Sequence, residues 1–151
     1  MDKVIDNASL FASVESVLGE GGRVRIRVKG NSMRPFLRDG RDTAVLAPLQ
    51  ARRLRRGMLL LFRYRGQVIL HRLRHTGHDH LTAAGDGNYR ASEYPVREDV
   101  IGYAEAIEKN GRTIKYLSAR WRMLSAVSLT RAAIRRTVLD ILGAVRRTNA
   151  G

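Results

Sequence analysis

The sequence predicts a mainly β domain: a small curled antiparallel sheet or partly open barrel, with a short N-terminal helix and a basic amphipathic C-terminal helix. Three observations predict it. Arg23-Val24-Arg25-Ile26-Arg27-Val28-Lys29 alternates basic and apolar residues, the period of a strand with one wet face. Further short apolar-rich runs follow at residues 43–46, 59–64, 68–73, 80–84, 100–107 and 113–117, separated by turn residues. The two flanks of this region instead repeat their apolar residues at helical spacing.

In chain order, residues 7–18 place Leu10, Phe11, Val14, Val17 and Leu18 on one helical face, and Gly19, Gly21 and Gly22 end that helix. Asp39-Gly40, Arg65-Gly66, Gly77-His78, Gly85-Asp86-Gly87-Asn88 and Asn110-Gly111 punctuate the strands. Asn110-Gly111 is the strongest hairpin signal, because both central residues of a type I′ turn need positive φ. Many short strands at close spacing suit a barrel or curled sheet. From Ala119 onward Val127, Ile134, Val138, Ile141, Leu142 and Val145 share one helical face, while Arg131, Arg135, Arg136, Arg146 and Arg147 fall mostly elsewhere. The expected division is a sheet domain with its lead-in helix over 1–118 and a helical tail over 119–151.

A chain of 151 residues suits one domain with a real core. Twenty-eight Lys and Arg against fourteen Asp and Glu give a net charge of +14, which attracts anionic surfaces without choosing among nucleic acid, acidic lipid and acidic protein. The absence of cysteine excludes disulfides, thiol catalysis and zinc–thiolate sites. Met1-Asp2-Lys3-Val4-Ile5-Asp6 is too polar for a secretory signal. The longest apolar run, Met58-Leu59-Leu60-Leu61-Phe62, falls far short of the roughly 20 residues that span a bilayer. A cytoplasmic location is therefore expected, without signal peptide or transmembrane helix.

A serine becomes a nucleophile when a base takes its proton and donors stabilise the oxyanion that follows. Ser32 comes directly after the alternating strand and Gly30, and Pro35 restricts the backbone that leaves it. Such a bend can present the Ser32 hydroxyl and N–H together at a strand edge. Taken alone, Gly30-Asn31-Ser32 reads more readily as an ordinary turn, and His71 as a core histidine.

The longer pattern changes that balance. Ser32-Met33-Arg34-Pro35-Phe36-Leu37 resembles the Ser-Met-x-Pro-x-Leu box of signal peptidase I and its LexA-type relatives. Arg56-Gly57-Met58-Leu59-Leu60-Leu61-Phe62 resembles the family's Gly-Asp-apolar strand, and Val68-Ile69-Leu70-His71-Arg72-Leu73 the strand of the general base. Gly85-Asp86-Gly87-Asn88 resembles the Gly-Asp-Asn box, and Glu98-Asp99-Val100-Ile101-Gly102 the approach to the closing strand. Histidine where many relatives carry lysine resembles the archaeal, endoplasmic-reticulum and sporulation-type branch. The resemblance spans residues 24–107 and implies a signal peptidase/LexA-like fold. It also implies a serine endopeptidase with Ser32 as nucleophile, His71 as base and Asp86 orienting His71, and with Met33 and Pro35 in the substrate site. Glu93 is a reserve acid. Two positions depart from the pattern: Met58 stands where relatives carry aspartate, and Gly87 where they carry asparagine.

No cofactor or metal is implied; His75, His78 and His80 beside Asp79 read as a solvated hairpin loop. The partner expected is a peptide or protein substrate. The alternative is a non-catalytic peptide-binding module on the same fold, within a peptide-maturation or regulatory system. A LexA-like DNA switch fits the charge but not the short segment before the sheet, and no reader motif supports specific nucleic-acid binding. The C-terminal helix has two readings: contact with an anionic membrane interface, or packing onto the sheet or a second copy. Trp121 is correspondingly an interfacial anchor or a core residue.

Overall fold

A computed structural model describes residues 7–50, 52–88 and 91–148. Residues 1–6, read above for a leader, lie outside that range. The described chain is mostly β, with one open antiparallel sheet preceded and followed in sequence by a helix. Helix α1 spans Asn7–Gly19 and α2 spans Ala119–Thr148. The strands are β1 (Val24–Arg27), β2 (Thr43–Ala47), β3 (Leu59–Tyr64), β4 (Gln67–Thr76), β5 (Leu81–Ala84), β6 (Val100–Lys109) and β7 (Arg112–Lys115). Their order is β1-β2-β6-β3-β4-β5, with β7 also paired to β6. Each run expected to be a strand forms one.

Strand β3 is the centre of the core. Leu59 and Leu61 point into one apolar cluster with Val14, Leu18, Phe36 and Trp121, and Leu60 and Phe62 into a second with Met58, Leu73 and Tyr103. Burial on both faces explains why this strand is a continuous apolar run rather than an alternating one. Two-residue turns close its neighbours. Arg65 and Gly66 join β3 to β4, and Asn110 and Gly111 join β6 to β7, with positive φ at both residues in each case. These are the type I′ geometries whose twist matches paired strands.

Three elements differ from expectation. β4 continues to Thr76, because Arg74, His75 and Thr76 carry a polar strand on along β5 through a bulge between Leu73 and His75. α1 buries Val14 and Leu18, whereas Leu10 and Val17 face outward. The buried edge is thus narrower than the apolar face the sequence offers. In α2 the first half docks: Trp121 is core, edge-on to Phe36 and Tyr116, while Val127, Ile134, Val138, Ile141, Leu142 and Val145 are exposed.

The basic face of β1 meets acid rather than standing alone. Arg23 pairs with Glu105 and Arg25 with Glu108, both on β6. Such exposed pairs contribute little to stability. No helix among the described residues is long and apolar enough to cross a membrane.

Candidate active site

The loop after β1 is held from several directions. Gly30, at φ +84°, donates its N–H to Asp39 Oδ1 at 2.6 Å. Met33, Phe36 and Leu37 enter the core, and Leu37 N–H closes a turn on the Met33 carbonyl at 2.9 Å. Lys109 Nζ donates to the Phe36 carbonyl at 2.7 Å and also pairs with buried Asp42. The Arg34–Pro35 bond is cis. Ser32 sits half-buried at the rim of this anchored loop.

The Gly85-Asp86-Gly87 turn packs directly beneath it. Gly87 N–H donates to the Ser32 carbonyl at 2.8 Å. A Cβ on Gly85 would lie 2.3 Å from the Ser32 carbonyl oxygen and 3.0 Å from His71 Nε2. A Cβ on Gly87 would lie 2.7 Å from the Asn31 carbonyl. Glycine at both positions, Gly87 included, is therefore demanded by close approach.

Ser32, His71 and Glu93 line one cleft of about 330 Å³, together with Val28, Lys29, Met33 and residues 67–70. Met33 is both a wall of this cleft and a core residue; Pro35, expected beside it, is not among the lining residues. His71 Nδ1 meets Glu93 Oε2 at 2.8 Å, with both side chains buried. With Glu93 ionised, Nδ1 carries the hydrogen and Nε2 keeps a lone pair, the tautomer a base requires. Neither Nε2 nor Ser32 Oγ hydrogen-bonds to another described residue.

The expectation that Asp86 orients His71 is corrected. Asp86 accepts from Arg72 Nε at 2.8 Å and Arg72 Nη2 at 2.7 Å, from Arg74 Nη2 at 3.1 Å and from Ser128 Oγ at 2.8 Å. Arg72, 1% exposed, also donates to the Gly57 carbonyl and to Ser125 Oγ, and stacks over the Phe36 ring at 4.6 Å. The reason is elementary strand geometry: successive residues point to opposite faces, so a carboxylate paired with Arg72 is on the wrong side for His71. Burial pulls the Arg74 guanidinium below its ordinary pKa; Asp86 opposes that shift, while Arg72 and Arg56 add to it.

Glu93, the reserve acid, reaches His71 because residue 93 bridges back to Ala83 on β5 by two backbone hydrogen bonds, of 2.8 and 2.9 Å. Met58 takes part in the turn before β3, its Sδ accepting the Arg55 N–H at 3.2 Å. His75, His78 and His80 lie on or beside the β4–β5 turn, where Gly77 N–H bonds to the His80 carbonyl. His78 pairs with Asp79 on the surface, and His80 stands edge-on to Tyr94.

Comparison with known protein families, curated proteins and solved structures finds no match to this chain.

Proposed function

We propose that this chain is a serine endopeptidase of signal peptidase/LexA-like fold, with Ser32 as nucleophile, His71 as general base and Glu93 as the residue that orients His71. The observation that carries the reading is the cleft that Ser32 and His71 both line, with the histidine braced through Nδ1 by a buried carboxylate. That is the arrangement of roles by which a serine–histidine–acid site is recognised.

The chemistry follows from those roles. Nε2 takes the Ser32 hydroxyl proton as Oγ bonds to the substrate carbonyl carbon, and the Ser32 N–H is positioned by its own residue to face the developing oxyanion. The imidazolium gives its proton to the leaving amine as the carbon–nitrogen bond breaks, leaving an acyl-enzyme. Water then loses a proton to Nε2 as it attacks the ester, and Ser32 is restored. Glu93 stabilises the imidazolium at each stage. Asp86 braces the turn under Ser32 and takes no part in proton transfer.

Substrate access has a matching feature. Residues 67–71 of β4 pair with β3 on one side, whereas β5 joins the other side only from Arg72. An extended peptide can add along that edge with its scissile bond beside Ser32, gaining main-chain hydrogen bonds without a deep pocket.

One observation favours the second reading, a non-catalytic peptide-binding module. Ser32 Oγ and Nε2 share a cleft without being hydrogen-bonded to each other. Unliganded catalytic sites are commonly this loose, so one measurement separates the readings. A fluorophosphonate probe is expected to label the wild-type chain at Ser32, to leave Ser32→Ala unlabelled, and to label His71→Ala about 10²–10⁴-fold more slowly. Absence of labelling in a folded wild-type chain, or equal labelling of Ser32→Ala, overturns the peptidase reading.

A further inference from the structure

Helix α2 is anchored at one end and uncovered at the other. Trp121, Ser125 and Ser128 face the sheet, where they meet Phe36, Arg72 and Asp86. At about 100° per residue, Met123, Val127, Ile134, Val138, Ile141, Leu142 and Val145 fall within one arc on a different side. All seven are exposed, Ile134 by 59% and Ile141 by 58%. A row of large apolar residues over most of a 30-residue helix is far more than the scattered surface hydrophobics of a soluble domain.

The charges around this arc are one-sided. The helix carries seven arginines and a single carboxylate, Asp140. Arg131 lies within the apolar arc and Arg135 and Arg146 border it, whereas Asp140 projects to the opposite side and is paired by Arg136. Packing this face against a second copy would set Arg131 among apolar residues or other arginines, where its charge has no partner. A lipid interface removes that conflict. The apolar residues enter the acyl boundary while the guanidinium groups reach back to phosphates on their long stems.

We infer that the outward face of α2 from Val127 to Val145 lies in the interface of an anionic lipid bilayer and holds the domain at a membrane surface without crossing it. The inference rests on the helix alone and is independent of the chemistry at Ser32. Apolar burial and attraction to acidic headgroups act together, each basic residue near the surface strengthening the hold.

Cosedimentation with two kinds of vesicle tests it: phosphatidylcholine alone, and an equimolar mixture of phosphatidylcholine and phosphatidylglycerol. Wild type and Ser32→Ala are expected to bind the mixed vesicles equally and the neutral ones weakly, with binding falling as salt rises. The Val138→Glu/Ile141→Glu variant, altered only at exposed positions, is expected to keep its unfolding temperature and to bind about tenfold or more weakly. Should that variant unfold, Val145→Glu near the helix end gives the same comparison. The inference is overturned by vesicle binding that ignores these substitutions. It is equally overturned by binding to single-stranded RNA with none to vesicles, or by a concentration-dependent dimer that the double variant abolishes with no vesicle binding.

Discussion

Two neighbouring residues of β4, His71 and Arg72, head two polar sites that differ in every respect but burial. Arg72 is saturated. Its guanidinium meets both oxygens of Asp86, the Gly57 carbonyl, Ser125 and the Phe36 ring, and Asp86 in turn accepts from Arg74 and Ser128. Among the described residues the His71 side chain hydrogen-bonds only to Glu93, through Nδ1, and it lines a cleft with Ser32. A buried charge with every nitrogen hydrogen-bonded holds structure together. A buried base with one nitrogen braced and the other open has capacity left for chemistry. The comparison teaches that the number of partners, more than burial, separates the braced site from the one we propose to be reactive.

The sharpest way to break the comparison is to change each carboxylate in turn. Glu93→Gln is expected to slow fluorophosphonate labelling of Ser32 by roughly 10²–10⁴-fold by favouring the wrong histidine tautomer, while urea unfolding moves little. Asp86→Ala should do the reverse. Removing it strands Arg72 in the core, and urea unfolding should report a loss of about 3–5 kcal/mol, with labelling kept in the molecules that remain folded. If instead Asp86→Ala abolished labelling without loss of stability, the division of roles would be wrong. Gly85→Ala tests the seam between the two sites. Its methyl group would press on the Ser32 carbonyl and on Nε2, so it is expected to cost about 1–3 kcal/mol and to slow labelling together.

Much of this arrangement was legible in the chain. The seven strands are readable because turn residues bound each run, and because apolar alternation or continuity reports whether one face or both are buried. The Ser32 loop, the β4 histidine and the Gly85–Gly87 turn do converge. The partner of His71 was harder to read. Asp86 looked natural because it lies in a recognisable box, yet Arg72, an arginine inside an apolar strand, was the missed signal. A buried guanidinium requires a carboxylate, and the nearby boxed aspartate is the one it takes. Glu93 has no local motif; its place depends on a return of the chain to β5 that periodicity does not record. The exposure of α2 was similarly hidden. Its apolar face is plain in the sequence, but which face the sheet covers depends on Trp121, Ser125 and Ser128 finding Phe36, Arg72 and Asp86.

The adjacency of His71 and Arg72 also limits how this gene can change in length. A one-residue insertion or deletion between the β3–β4 turn and His71 would turn the imidazole toward α2 and the guanidinium toward the cleft, exchanging both partners for wrong ones. Adding two residues would restore the sides but carry the imidazole about 7 Å along the strand, out of reach of Ser32. The two-residue turn at Arg65 and Gly66 leaves no slack to absorb either change. Length variation is therefore expected to be selected against in this hairpin and accommodated at the β4–β5 turn, beyond both sites.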